Sequence, residues 1–436
     1  MFVLIKARFM LLSMCYMSLR NDFIKNNAVD ARWFLQLKSI KRQLILNSYS
    51  ILNPIQDLEM KKMLDSKAYN PVFEYSNIDI TSIRQEEVSL RNMRLQVLQE
   101  EAKESIRDAY INKLDEILTE LQIIKSTQEK DYKTFDFLNN KLYGNLSKDI
   151  VSSIITNLQN RYHLLQDVPR DIFVDSLERV TQDTFNMAKV ILAGPDIYAE
   201  ADKIYSSNEI VSLWQEFLTK NMPGWSVSDN NSGHYMVVNS KERMVSIPSN
   251  LHISGSKVRK LFVHEIGTHV YRREEGKKHP FQLLSIGLAR YSMAEEGLAI
   301  VREQLCNGSF LNYGGHDKYL ALAYAGGYID GEKKDFRTTF DFLQKYYFAR
   351  LVKKHHGENA YHISNKRAWG TCVRIFRGGN PSIPGSCLLK DKIYREGNIH
   401  IWSLLEKSPE SFKNIYAGKF DPGSEKHLML VNKRFD

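Results

Sequence analysis

The chain has 436 residues, which exceeds the size at which a single hydrophobic core stops growing, so about two to three domains are expected. With 43% hydrophobic and 25% charged residues, the composition is that of a globular protein and excludes the disordered and fibrous classes. The formal charge of +9 favours acidic partners. Because no zinc-finger spacing or aromatic RNA-binding motif accompanies this charge, nucleic acid is not expected as a partner. The composition leaves the oligomeric state open.

The amino-terminal segment bears on the location of the protein. Basic residues precede an apolar run over residues 9–17, as in a secretory signal, but the run is short and no cleavage site of small residues follows it. We interpret residues 1–21 as a poorly ordered leader, or as the result of an upstream start codon with Met14 or Met17 as the true beginning. No later stretch reaches membrane-spanning length. A cytoplasmic location without membrane contact is expected for the main body, and the leader leaves export or anchoring open.

The predicted elements divide the rest of the chain into two halves. Residues 22–215 are expected to form a helical region, and the strongest amphipathic pattern runs from Ile83 to about Tyr132. The period then changes to that of strands. Residues 235–239 and 244–248, joined by a polar turn, predict an antiparallel hairpin.

Helical patterns return after the hairpin. They cover residues 258 to about 273, a segment that begins near Ala294, and residues 319–325 and 336–356. Residues 374–394 are basic and aromatic, and we predict that they are rich in loops. The fold class is therefore α+β and mainly helical, with a helix-rich amino-terminal half and a second half, residues 216–436, that holds a small antiparallel sheet.

The segment His264-Glu265-Ile266-Gly267-Thr268-His269 carries the strongest chemical signal. Hydrolytic zinc sites use about three histidine or carboxylate ligands, one open position for water, and a carboxylate nearby as general base. His264 and His269 are therefore candidate ligands, and Glu265 is the candidate base. The structural alternative is an ordinary helix with an exposed first histidine and a second one bonded to the backbone.

The spacing of the two histidines constrains the backbone. The common zinc-protease helix places its histidines four residues apart on one face. In this chain they are five residues apart, which on an ideal helix leaves the rings roughly 140° apart. A shared metal ion therefore requires a π-type widening or a break between Glu265 and His269. Gly267 is the residue expected to tolerate this distortion most easily.

The third ligand is expected on the following helix. Glu296 suits this role, and its neighbour Glu295 suits it equally from spacing alone. One of them would bind the metal, and the other would orient a histidine ring through its free N–H. We expect one Zn²⁺ per chain, and residues 216–436 become a zinc-peptidase-like catalytic region.

Together with Glu295-Glu296-Gly297-Leu298-Ala299, the histidine segment resembles the microtubule-associated tyrosine carboxypeptidases and their bacterial relatives, the flavohaemoglobin-expression-modulating proteins with a QEGLA motif. The resemblance implies that His264, His269 and Glu296 are the zinc ligands and that Glu265 is the catalytic base. Glu295 stands where the bacterial relatives have glutamine. The eukaryotic substrate of that family is the carboxy-terminal tyrosine of tubulin, and the resemblance does not extend to whether this chain meets tubulin.

A carboxypeptidase must also bind a free C-terminal carboxylate, which arginine does best through two parallel hydrogen bonds. Arg374, Arg377 and Lys390 are the candidates, and Tyr394 is a candidate for stabilising the oxyanion. Each has an ordinary alternative as a solvated surface cation or a core tyrosine. The resemblance, which continues to about Gly397, includes this stretch.

These observations predict a zinc-dependent metallopeptidase, specifically a carboxypeptidase that trims a C-terminal residue from an acidic peptide or protein tail. The resemblance favours an aromatic residue as the one removed. The alternative is a regulatory or binding protein that keeps the metal only as structure, with a fourth ligand from Glu274, Glu275 or His279. Hydrolysis of a non-peptide amide is a third possibility that the sequence leaves open.

Overall fold

The computed structural model describes residues 28–40, 58–76, 78–168, 180–231, 236–309, 315–352 and 357–433. The predicted leader, residues 1–21, lies outside these ranges. No helix within the described ranges is both long and apolar enough to cross a membrane.

Helices dominate the described chain, which confirms the prediction of a mainly helical α+β protein. In chain order they are α1 (Ala31–Ser39), α2 (Glu59–Leu64), α3 (Ile80–Glu100), α4 (Glu104–Gln128), α5 (Tyr132–Tyr143), α6 (Lys148–Tyr162), α7 (Gln182–Ile191), α8 (Ser207–Asn221), α9 (Gly255–His264), α10 (Tyr271–Gly276), α11 (Ser292–Asn307), α12 (His316–Ala325), α13 (Phe336–Leu351), α14 (Gly357–Phe376), α15 (Lys392–Lys407) and α16 (Glu425–Asn432). A π-helical turn, Glu265–Val270, joins α9 to α10.

The long pair α3 and α4 shows how the helical pattern becomes structure. Asp79 caps α3 by accepting a hydrogen bond from the amide of Thr81. Leu90, Met93 and Val97 recur at helical spacing and are fully buried against the facing helix. The amphipathic pattern predicted from Ile83 onward is therefore confirmed. The division of the chain into domains near residue 216 stays a prediction.

The strands form two small sheets. In the first, β1 (Ile204–Ser206) pairs antiparallel with β5 (His252–Ser254). In the second, β3 (Val237–Asn239) pairs antiparallel with β4 (Met244–Pro248), which confirms the predicted hairpin, although the expected first residue of its first strand lies outside the described ranges. A further strand, β2 (Ser226–Asn231), pairs with β4 in parallel, an addition that the sequence did not predict. The apolar face of the second sheet packs on α8 and α9. Its core includes Trp214, Val245, Ile247 and Phe262.

Two glycines set the distance between α11 and α15. A Cβ on Gly297 would overlap the backbone of Gly397, and a Cβ on Gly397 would overlap the carbonyl of Met293. The helices therefore cross at a separation that only glycine permits at this point. The close crossing brings the second turn of α15 beside the first two turns of α11, where Glu296 lies.

The prediction of a loop-rich stretch over residues 374–394 was wrong at both ends. Arg374 lies in the last turn of α14, and residues 389–391 form a 3₁₀ turn that leads directly into α15. The glycines and prolines of this stretch are confined to its middle. At the start, Trp369, Val373 and Phe376 continue a buried apolar helical face that outweighs the nearby turn residues.

Candidate metal centre

Three ligand atoms converge on one point between the π turn and α11. They are the Nε2 atoms of His264 and His269 and a carboxylate oxygen of Glu296, and the ligand atoms of these three residues lie within 4.8 Å of one another. Glu296 Oε2 is 3.5 Å from the first Nε2 and 3.7 Å from the second. The ring centroids are 5.0 Å apart. The two histidines therefore face the same point despite their unusual spacing.

The predicted distortion of the histidine helix is confirmed. Residues Glu265–Val270 are π-helical, so the extra residue between the histidines is absorbed by a wider turn. The reason for glycine at position 267 differs from the one expected, because its φ is not in the left-handed region. Instead, a Cβ at Gly267 would lie 2.6 Å from the carbonyl oxygen of Pro195 and 2.9 Å from Nη1 of Arg302. Glycine is required at this position because a side chain would not fit, and not because the backbone adopts a conformation that favours glycine.

Each histidine ring is held from behind by a carboxylate. His264 Nδ1 lies 2.6 Å from Oε1 of Glu303, and His269 Nδ1 lies 3.0 Å from Oε1 of Glu295. When a bound metal displaces the proton of Nε2, the proton on each Nδ1 is donated to its carboxylate, and the lone pair of Nε2 is directed at the shared point. Glu295 therefore lies where one of the two sequence alternatives placed it, as the partner of a ring.

Sequence reasoning missed Glu303. The available signal was its position seven residues after Glu296, which on a helix is two turns along the same face. Lys260 balances the charge of Glu303, with Nζ 2.9 Å from Oε2.

Glu295 lies deeper and is balanced more strongly. Arg272, which is fully buried, donates Nη1 to Glu295 Oε2, and Nζ of Lys419 lies 3.3 Å from Oε1. Burial alone would raise the pKa of Glu295, but Lys419, Arg272 and the hydrogen bond with His269 lower it to about 2. The carboxylate is therefore ionised and able to accept the ring N–H.

The electrostatic environment of the three converging atoms favours a cation. Among the described residues, Glu296 Oε2 is a buried acceptor without a hydrogen-bond donor. Burial lowers the pKa of both histidines, but the surrounding carboxylates outweigh it, raising the pKa of His269 to about 9 and that of His264 well above its usual range. The histidines in turn hold the pKa of Glu296 well below its usual range, against the effect of burial. Two imidazoles and one carboxylate, whose Oε2 has no hydrogen-bond donor among the described residues, fit a divalent metal ion.

Glu265 directly follows His264 in the chain. It is the first residue of the π turn and is half-buried. Within the described ranges its carboxylate makes no hydrogen bond or salt bridge, in contrast to the carboxylates of Glu295 and Glu303. Its carboxylate is available for a substrate or a water molecule.

The predicted substrate-binding cations surround one buried carboxylate, that of Asp391. Nε and Nη2 of Arg374 lie 2.9 Å and 2.8 Å from the two oxygens of Asp391, and Nη2 of Arg377 lies 3.4 Å from one of them. The pKa of Asp391 is lowered, because the two guanidinium groups outweigh its burial. Nη2 of Arg374 also lies 3.5 Å from the hydroxyl of Tyr394.

Two lysines extend this cationic group toward the metal-ligand triad. Burial, followed by the charge of Arg377, lowers the pKa of Lys390 to about 8, and Glu296 partly opposes this change. Lys318, which sequence reasoning missed, has a pKa lowered to about 8 chiefly by burial, and its Nζ lies 4.6 Å from the ring centre of Tyr394. The charge of Glu296 acts on both lysines, so Lys390, one of the four predicted substrate-binding residues, lies on the side of the cationic group that faces the triad. The signal for Lys318 in the sequence is weak, since it is a single lysine in a helix.

Two histidines and a glutamate around one point, with a further glutamate beside them, form the arrangement found in metallopeptidases. A family model described as microtubule-associated tyrosine carboxypeptidase matches residues 63–313, more than half of the chain, and the match includes the triad. The chain belongs to this family and is a carboxypeptidase-type enzyme with a peptide or protein substrate, as the resemblance implied. No curated protein matches the chain. No solved structure matches it either.

Proposed function

We propose that the chain is a zinc-dependent carboxypeptidase that removes one C-terminal residue from an acidic peptide or protein tail. The convergence of His264, His269 and Glu296 within 4.8 Å, with a buried carboxylate oxygen that lacks a donor among the described residues, carries this proposal. These three residues would hold one Zn²⁺ per chain, which when bound would polarise the scissile carbonyl and lower the pKa of water.

Glu265 is the general base in this proposal. It follows the first ligand directly, is half-buried, and is not committed to another described residue. It would accept the proton of the attacking water and pass it to the nitrogen of the leaving amino acid. Glu295 and Glu303, which hold the histidine rings, are unsuited to this role because each already accepts a ring N–H.

The cationic group around Asp391 would bind the terminal carboxylate of the substrate. The two-pronged contact with Asp391 fixes the guanidinium of Arg374, whereas Arg377 makes a longer contact with the same carboxylate. We therefore assign the main contact with the substrate carboxylate to Arg377, supported by Lys390. Tyr394, whose hydroxyl lies 3.5 Å from Nη2 of Arg374, would stabilise the developing oxyanion.

The tail is proposed to be acidic because the chain carries a formal charge of +9. The family description favours tyrosine as the residue removed. A cytoplasmic location stays a prediction.

The alternative, a binding protein with a purely structural metal, requires a fourth protein ligand that closes the site. The residues considered for that role are engaged elsewhere. Glu274 and Glu275 pair with Lys277 and Lys278, and Nε2 of His279 lies 3.1 Å from the carbonyl oxygen of Val431. Among the described residues, the group of possible ligands contains only His264, His269 and Glu296, which supports an open position.

The decisive experiment measures cleavage of peptides that differ only in a free or an amidated C terminus, with and without a chelator. The proposal expects release of one amino acid from the free form, loss of activity with chelator, and recovery when zinc is added. Glu265→Gln should keep zinc but lose turnover by about 10²- to 10⁴-fold, whereas Glu296→Gln should weaken zinc binding itself. Equal cleavage of the amidated peptide would exclude a carboxypeptidase. Arg377→Ala should raise KM for the free peptide toward that of the amidated one.

A further inference from the structure

The π turn leaves one backbone carbonyl without its usual partner. In an α-helix the amide of Tyr271 would donate to the carbonyl of Gly267, four residues earlier. In this structure it donates instead to the carbonyl of Ile266, five residues earlier, and to that of Thr268, three residues earlier. The carbonyl of Gly267 is therefore deprived of its helical donor, in a part of the protein that is buried. A buried carbonyl of this kind requires a donor from elsewhere.

Arg302 supplies that donor. Its side chain is buried, and its Nη1 donates to the carbonyl oxygen of Gly267. The same nitrogen lies 3.4 Å from the carbonyl oxygen of Val263 and 3.2 Å from Oγ1 of Thr268. Nη2 donates to the carbonyl oxygen of Pro195 at 2.8 Å. One guanidinium group thus contacts Val263, just before the π turn, and Gly267 and Thr268 within the turn. Through Pro195 it also connects the turn to a neighbouring loop.

The space around this guanidinium is fitted closely. A Cβ at Gly267 would lie 2.9 Å from Nη1 of Arg302, and a Cβ at Gly194 would lie 3.1 Å from Nη2. The ring of Tyr416 covers the guanidinium, with its centre 5.7 Å from Cζ, and the hydroxyl of Tyr416 donates to the carbonyl of Leu192. Arg302 therefore has one position available to it.

We propose that Arg302 is a positioning residue that locks the π turn and thereby keeps His264 and His269 directed at the same point. Without its guanidinium, the buried carbonyl of Gly267 loses this donor, and the amide of Tyr271, its ordinary helical donor, is drawn back to it. That return restores α-helical geometry, which leaves the rings of His264 and His269 roughly 140° apart around the helix axis. The expected effect on zinc affinity rests on the proposed function, whereas the expected effect on the backbone of the π turn does not.

The test compares the zinc affinities of the wild type, Arg302→Met and Arg302→Lys, using a competing chromophoric chelator well below each unfolding temperature. Arg302→Met should lose at least about tenfold in affinity, comparable to the loss of other groups that orient metal ligands. Arg302→Lys should lie between, because lysine supplies a donor but cannot span several carbonyls. Val301→Ala is the matched control, since it removes buried core volume from the same helix. It should lower the unfolding temperature and leave zinc affinity unchanged.

Wild-type affinity in Arg302→Met, or in Arg302→Lys if the methionine variant does not fold, would overturn the proposal. An equal loss in Val301→Ala would also overturn it, because the effect would then follow general stability. A crystal structure of the metal-free lysine variant gives a second measurement. The proposal expects the bond from Tyr271 to Ile266 to be weakened or replaced by one to Gly267, and an unchanged π turn would refute it. If the wild type binds no zinc, the proposed function fails, while this backbone measurement still decides the role of Arg302.

Discussion

The two carboxylates that hold the histidine rings should respond differently to the same substitution. Glu303→Gln and Glu295→Gln each replace a charged acceptor of a ring N–H by a neutral one, which forms a hydrogen bond of about half the strength. Both variants should therefore bind zinc more weakly. Loss of such partners typically lowers metal affinity about 10- to 100-fold, or roughly 1.4 to 2.7 kcal/mol. Because glutamine still accepts the N–H, we expect the lower end of this range for both.

Stability should separate the two variants. Glu295 is 3% exposed and lies between Arg272 and Lys419, so Glu295→Gln leaves buried cations without their counter-charge. Breaking a buried pair in this way costs about 3 to 5 kcal/mol. The side chain of Glu303 is 16% exposed and that of its partner Lys260 is 27% exposed. Loss of this more accessible pair costs about 1 kcal/mol or less.

The assay combines zinc competition titration with urea unfolding in the presence of chelator, so that metal binding does not contribute to the stability measured. The expected pattern is a similar drop in zinc affinity and a much larger drop in the unfolding midpoint for the Glu295 variant. If Glu303→Gln retained zinc affinity within about twofold, the contact between Glu303 and His264 would not orient the ring. If both variants unfolded alike, the greater charge burial at Glu295 would carry no energetic weight.

Three further predictions concern the turn, salt and pH. Gly267→Val should abolish zinc binding measured by titration, because the new Cβ would overlap Pro195 and Arg302. Gly370, a helix glycine with open space around it, is the control, and Gly370→Ala should change zinc affinity little. Raising the ionic strength should reduce the preference for acidic over neutral peptides in kcat/KM, since salt screens charges over about 8 Å at physiological strength, and the requirement for a free carboxylate should persist. The pKa of Lys390 is lowered to about 8, so its ammonium group is protonated below that pH and neutral above it. KM should therefore rise above pH 8, because the neutral amine no longer attracts the substrate carboxylate. Lys390→Arg should flatten this rise, since arginine stays charged.

Much of the metal centre was predictable from the sequence because its elements are local. The spacing of His264 and His269 predicts the π turn, since a regular helix cannot direct both rings at one ion, and the turn is present over Glu265–Val270. The choice between Glu295 and Glu296 was not predictable from spacing, because it depends on which carboxylate is near Arg272 and Lys419. The last of these is distant in sequence, and its contact arises only from tertiary packing.

The partners of the turn and of the cationic group were missed for a related reason. Lys318 and Arg302 look like ordinary helical cations in the sequence, because what distinguishes them is burial beside groups from other segments. The loop prediction for the stretch around Arg374 failed because turn-forming residues in its middle masked helical faces on both sides. Contacts between distant segments are what a single sequence does not encode in any local pattern.

The geometry of α11 explains why one helix can serve the whole centre. Glu295 and Arg302 are seven residues apart, and so are Glu296 and Glu303, so each pair is two turns apart on nearly the same face. In the first pair, Glu295 contacts His269 and Arg302 contacts the π turn. In the second pair, Glu296 lies beside Nε2 of His264 and Glu303 contacts Nδ1 of the same ring. Both histidines and the turn between them are thus positioned against a single rigid element. Because α15 crosses that element at the glycine pair, Tyr394 in the first turn of α15 also takes its position from α11. The separation between Glu296 and Tyr394, the proposed zinc ligand and the proposed oxyanion-stabilising residue, is therefore set by helix packing.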